Sequence, residues 1–210
     1  MSYLIKVYCY QTSDMVKTHT SRSFLVRLSI VVILCCCGAG IGHTCAQSKF
    51  IDRAGKASFF SSAPLEDIEA HSNQAVSIFD VQSGEIAASL LMRSFNFRKA
   101  LMEEHFNENY IESDKYPKAM FKGKVVNIDA LDVSKNGTCS LDVTGDITLH
   151  GVTKPIRTKA ECVVEGSNIR AKAVFSLKVK DFGIKVPRLV INNIAEVVEV
   201  TVSFNYQPMK

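Results

Sequence analysis

Three histidines, two cysteines and a group of glutamates are the side chains beyond residue 46 whose chemistry first asks for a role. An enzyme needs a nucleophile, a base and a polarising group that converge on one point. His71, His105 and His150 stand at no metal-type spacing from one another, from a cysteine or from a carboxylate pair. No Gly-x-Ser-x-Gly and no glycine-rich phosphate loop occurs. Glu103, Glu104 and Glu108 could be drawn as an acid/base or cation site, but on a helix face such residues are ordinarily solvated charge. His105 falls on the apolar side of the same segment, as a packing residue or as a contact to a ligand head group. His150 sits at a tight turn, where a histidine commonly hydrogen-bonds the backbone. The expectation is no catalytic residue, no metal and no cofactor.

The elements that must position these residues begin after a leader. Arg22 and Arg27 precede an apolar run, Leu28 to Cys37, and Thr44-Cys45-Ala46 supplies the small residues of a cleavage site. This predicts a secretory signal peptide over 1–46, with an upstream extension and Met15 as an alternative start. The apolar run is about half the roughly 20 residues a span requires, so no stable membrane span is expected after cleavage. Export to the periplasm or beyond follows. The leader holds four basic residues against Asp14, so the chain's formal +4 leaves only +1 for 47–210, and the basic pI of about 8.6 is no sign of nucleic acid. Lys178 and Lys180 alternate with Leu177 and Val179 as the outer face of a strand, without the interleaved aromatics that stack bases. Five of the seven cysteines belong to the leader; Cys139 and Cys162 remain. A loop centred near 153 would offset them, so they read as small buried hydrophobes rather than as a disulfide.

Residues 47–210 form one domain. Ala57 to Ser61 ends a first strand, and Leu65 to Asn73 is compatible with an edge strand or a short helix. Ala75 to Val81 is a strand, Ser83-Gly84 a two-residue turn, and Glu85 to Met92 alternates with Ile86, Ala88, Leu90 and Met92 on one face. Leu101, Met102, His105, Phe106 and Asn109 recur at helical spacing and predict one helix over about 98–110. Phe121, Gly123 and Val125 share a face, and Asn136-Gly137 is the strongest hairpin signal. Cys139, Leu141, Val143, Gly145, Ile147 and Leu149 face one way, answered by Ile156, Thr158, Ala160, Cys162 and Val164. Gly166-Ser167-Asn168 turns into Ile169 to Val179, and Val198 to Phe204 closes the pattern. So long a meander of alternating strands must close or leave an edge. The fold class is therefore all-β: an up-and-down antiparallel β-barrel with one short helical insertion. Its small inward residues, Gly123, Gly145, Ala160, Ala171 and Ala173, suit a close-packed core or an elongated cavity equally.

Three segments carry a resemblance: Asp114-Lys115-Tyr116-Pro117-Lys118-Ala119-Met120-Phe121-Lys122-Gly123, then Gly145 through His150-Gly151-Val152-Thr153-Lys154-Pro155, then Asp181-Phe182-Gly183-Ile184. In this order, across most of 50–206, they resemble the YceI-like family of lipid- and polyisoprenoid-binding proteins. The departures are the stretch Lys49 to Asn73, where a His-containing first strand is missing, and Phe95 to Tyr116, which places the chain on a divergent branch. The resemblance implies a lipocalin-like barrel with an isoprenoid or other long-chain lipid inside, and tips the small-residue question toward a cavity. Strand and helix parity then nominate Leu90, Met92, Phe95, Leu101, Phe106, Phe121, Leu141, Val143, Phe175 and Phe204 as its lining, and the matched motifs place Tyr116, His150, Lys154 and Asp181 near a mouth. The expected partner is an apolar small molecule or lipid, with a homodimer as a further option and no nucleic acid. The alternative function is a structural or interaction protein whose barrel is filled.

Overall fold

A computed structural model describes residues 48–62, 67–185 and 195–209, so the expected leader and its five cysteines lie outside the described residues. Nine strands occur in order: β1 (Lys49–Ser61), β2 (Ile68–Asp80), β3 (Glu85–Leu91), β4 (Asn96–Phe97), β5 (Lys118–Val125), β6 (Gly137–Leu149), β7 (Val152–Glu165), β8 (Asn168–Lys178) and β9 (Val197–Pro208). The antiparallel order β1-β9-β8-β7-β6-β5-β3-β2 is closed by pairing of β1 with β2, and the two-residue β4 adds to β2. Eight long strands thus close a barrel, as the alternation predicts.

One short helix, α1 (Ala100–His105), runs on as a π turn over Phe106–Tyr110. The wider turn changes the phase of the face beyond His105. Asn109, expected on the apolar side, is exposed, and Glu103, expected in solvent, is half-buried with a carboxylate that accepts the Phe97 N–H at 3.3 Å. Glu104 and Glu108 are exposed.

The β6–β7 turn corrects two expectations. It consists of His150 and Gly151 alone, with φ of 51° and 75°, the two positive values that a primed hairpin turn requires. Leu149 pairs with Val152, so Thr153, Lys154 and Pro155 belong to β7 instead of to the loop. The hairpin is centred two to three residues earlier than its sequence suggests, and Cys139 faces Cys162 directly. Both are free thiols, Cys162 fully buried and Cys139 half-buried. Pro155 fits because pairs alternate away from the turn: it occupies a non-hydrogen-bonded position opposite Asp146, and its missing N–H is directed away from β6. On that side β8 no longer pairs, since the β7–β8 ladder runs from Glu165 and Asn168 only as far as Ala160 and Ala173.

Asn136-Gly137 is not a hairpin turn. Neither residue has a positive φ, and β5 reaches β6 through 126–136, which includes a 3-10 turn over Ile128–Ala130. Asn136 serves elsewhere: its Oδ1 accepts the Gly166 N–H at 2.8 Å and braces the β7–β8 turn. The β2–β3 connection is also longer than two residues, with the Asp80 carboxylate accepting N–H groups of Gln82 and Ser83.

The undecided stretch before Asn73 is largely the start of β2, and β1 is thirteen residues long. Both were hard to read because each changes inward parity at a bulge. In β1 the buried positions pass from Phe50 to Gly55, Ala57 and Ser61; in β2 they pass from Ala70 and Ser72 to Ala75, Ser77 and Phe79. Asp52 secures the β1 irregularity, one carboxylate oxygen accepting the Ala54 N–H at 2.9 Å and the other the Asn205 N–H at 2.7 Å.

Candidate functional site

The interior has two parts. At one end of the barrel Phe50, Phe79, Val125, Leu141, Cys162, Ile169 and Tyr206 pack into a solid core. The Tyr206 hydroxyl lies 2.8 Å from Ser77 Oγ, which donates to the Ala87 carbonyl at 3.2 Å, so the polar atoms buried there are satisfied. Burial also pushes the Cys162 thiol up to about 12, with Cys139 beside it adding to the shift.

Toward the other end the same strands surround a cavity of about 530 Å³, within the range of small-molecule sites. Its wall is almost wholly apolar. Nine of the ten nominated residues line it: Leu90, Met92, Phe95, Leu101, Phe106, Phe121, Val143, Phe175 and Phe204. Leu141 does not; it lies 3% exposed in the solid core, two pairs along the ladder from Val143. Leu101 is 61% exposed on α1, so the helix borders the opening instead of plugging it. Lys99 and His105 line the same border, which places the histidine nominated as packing residue or head-group contact at the mouth. Tyr110 joins them, its hydroxyl pKa raised by partial burial.

Parity missed Phe59, the centre of an aromatic cluster. Its ring lies 5.3 Å from Phe95, 5.8 Å from Phe97 and 5.5 Å from Phe106. The neighbouring Phe60 is exposed, and two adjacent phenylalanines after a bulge give no parity to read. Alternation from Ala57 to Ser61 was the available signal.

The four motif-matched residues stand at the mouth end without lining the cavity. Lys154 and Asp181 are exposed. His150 and Tyr116 belong to a clasp: His150 Nδ1 is 3.0 Å from the Phe182 carbonyl oxygen, Nε2 is 3.0 Å from Glu112 Oε2, and the Tyr116 ring packs against the imidazole at 4.4 Å between centroids, tilted by 59°. Both ring nitrogens face acceptors, so an imidazolium donates to both and a neutral ring to one. Gly151 is required twice over, by its φ of 75° and because a Cβ would stand 2.6 Å from the Tyr116 ring. The clasp ties the β6–β7 turn to the segment after α1 and to the 3-10 turn Val179–Phe182. Ile111, Phe182 and Ile184, beside these contacts, are buried in the upper core.

No nucleophile–base pair faces the cavity among the described residues, and none of their His, Cys, Asp and Glu side chains form a group able to hold a metal. None of the described helices is long and apolar enough to cross a membrane.

A family model described as the YceI-like domain matches residues 51–206. Among curated proteins, a UPF0312 protein of Pseudomonas putida (strain W619) is 34% identical over 113 residues, 50% of this chain and 55% of the relative; one of Shewanella denitrificans is 32% identical over 112 residues with the same coverage. The chain thus spans about half the length of the curated relatives it matches. Among solved structures, a polyisoprenoid binding domain from Saccharophagus degradans, implicated in plant cell wall breakdown, superposes with TM-score 0.67 at 16% identity, covering 78% of this chain and 99% of the other. Burkholderia cenocepacia BcnA superposes with TM-score 0.60 at 16% identity, covering 72% and 95%. At such identity these two structures speak for the fold.

Proposed function

The chain belongs to the YceI-like family, and on that premise we propose that it is an exported protein that sequesters a polyisoprenoid or other long-chain lipid inside its barrel. The observation that carries this reading is the apolar cavity of about 530 Å³ above a solid core. The polyisoprenoid-binding domain with the same fold supports the ligand class. The leader-like segment over 1–46 supports export, to the periplasm or outside the cell. A homodimer is compatible with the proposal and not needed by it.

Magnitudes favour a long ligand. Each buried CH₂ contributes about 0.8 kcal/mol, whereas association costs at least roughly 4 kcal/mol in lost freedom. With few polar groups in the wall to help, a chain of five or six carbons about breaks even and only a longer one is held. Orientation falls to the polar border, where Lys99, His105 and Tyr110 stand. The filled-barrel alternative describes one half of the interior alone. A catalytic His150 is disfavoured because its ring is engaged with Glu112 and Phe182 and does not line the cavity.

The test is native mass spectrometry of gently purified residues 47–210, followed by organic extraction. A discrete added mass that extracts as a long-chain lipid is expected. Folded protein of bare mass that takes up no offered prenyl alcohol would refute the proposal.

A further inference from the structure

Two rings at the boundary between the hollow and solid halves lie against glycines. Gly123 and Gly145 are direct cross-strand partners on β5 and β6. A Cβ on Gly123 would come within 2.4 Å of Phe121 Cζ, and one on Gly145 within 2.8 Å of the same atom and 2.4 Å of the Gly123 backbone. The Phe121 ring therefore leans down the wall into a slot that only a glycine pair leaves open. On β9 the Phe204 ring does the same over β1, where a Cβ on Gly55 would stand 2.4 Å from Cδ1 and 2.5 Å from Cε1. None of these glycines has a positive φ, but β5 and β6 approach so closely that a Cβ on Gly123 would also stand 2.5 Å from the Thr144 carbonyl oxygen and one on Gly145 2.4 Å from that of Lys122; at Gly55 the ring is the main obstacle, the Ala75 carbonyl oxygen being 3.1 Å away. Glycine weakens a strand interior; what Gly55 gains in return is room for a ring, and what the Gly123–Gly145 pair gains is room for a ring together with a close approach of the two strands.

Phe121 and Phe204 line the cavity and also pack on the solid core below it. β5 and β9 stand four strands apart in the closed order of eight, so the rings come from opposite walls. We infer that Phe121 and Phe204, laid over Gly123, Gly145 and Gly55, form a floor that sets the length of hydrocarbon chain the barrel accepts. The inference rests on the proposed function and adds a specificity rule: one flexible chain enters tail first, and its affinity rises with length until the tail meets the two rings. Elsewhere the rings would project into the lumen; here the slots store them and give the cavity its depth.

The experiment is equilibrium binding of a homologous series of linear and prenyl alcohols to the parent protein and its variants. In the parent, affinity climbs about fourfold per added methylene and then breaks at one length. Phe121→Ala and Phe204→Ala move the break to longer chains, and Gly55→Ala, which forces the Phe204 ring inward, moves it to shorter ones. Phe121→Leu keeps most of the packing and guards against a variant that fails to fold; it too lengthens the accepted chain. A break that stays in place in folded Phe121→Leu and Phe204→Ala overturns the floor while leaving the carrier reading intact. A parent that binds no member of the series removes the carrier reading, and the floor with it.

Discussion

At the end of the barrel that holds Phe50, Phe79 and Leu141 the interior is solid; toward the other end the same eight strands enclose a cavity. Both halves turn mainly apolar residues inward, alternately along the strands apart from the bulges of β1 and β2, so hydrophobicity does not separate them. Volume does. The solid half packs Phe50, Phe79, Leu141 and Ile169 together, while the hollow half spends inward positions on Ala57, Ala70, Ala88 and Ala119, with Phe121 and Phe204 laid against glycines. A core and a ligand chamber can thus be written in one periodic pattern, the difference residing in side-chain size.

The contrast is broken most forcefully by truncation. Phe79→Ala leaves a void among side chains that cannot collapse, and about 3–5 kcal/mol of stability is lost. Leu90→Ala enlarges a space that already exists and costs less than about 2 kcal/mol; urea unfolding of the two variants measures the gap, and equal losses would mean that the chamber is as tightly packed as the core. Enlargement runs the other way. Cys162→Leu overpacks the solid half by about 1–3 kcal/mol, whereas Ala173→Leu on the cavity wall is accepted at under about 1 kcal/mol and lowers capacity for an apolar dye such as a long-chain fluorescent fatty acid.

Alkali sharpens the comparison further. The Cys162 thiol, pushed up to about 12 by burial, and the buried Tyr206 hydroxyl, pushed above its ordinary value, are both neutral when protonated, and the folded state holds those protons more tightly. Their contribution is complete below the free thiol's value near 8.5 and is lost as pH rises toward 12, at up to about 1.4 kcal/mol per pH unit for each group. Denaturant midpoints at pH 7, 9 and 10 should fall in sequence, and Cys162→Ala should flatten the first part of the fall. An unchanged slope in that variant would place its origin elsewhere. The smallest effect belongs to the mouth: His150→Asn keeps a residue tolerant of positive φ but dissolves the clasp, for about 1 kcal/mol. Hydrogen exchange at Ile111 and Phe182 should quicken while the solid half is unaffected.

The closed barrel was legible because alternation survives in β3, β5, β6, β7, β8 and β9, and the faces read along β6 and β7 are direct partners in the structure. Legibility failed where geometry departs from its period. Bulges in β1 and β2 reversed parity and hid Phe59; a π turn rotated Asn109 outward; a histidine at positive φ in place of asparagine or glycine disguised a two-residue turn as a longer loop. Leu141 was assigned to the lining because parity reports which wall a side chain leaves and says nothing of its height along the axis. The clasp partner Glu112 was invisible because its contact with His150 bridges 38 positions and rests on a second positive φ, 49°.

The incomplete β7–β8 ladder gives this barrel one property of an open sheet. From Val152 to Lys159, β7 is paired with β6 on one side, and among the described residues no strand continues the ladder on the other. Such a flank is a template on which a strand of another molecule can assemble. Pro155 removes one donor from it, and Lys154, Arg157 and Lys159 surround it with positive charge. Proline and lysine are residue types that discourage strand addition at such a flank, and the Thr158 hydroxyl, donating to the Val174 carbonyl at 3.0 Å, still ties β7 to β8 there.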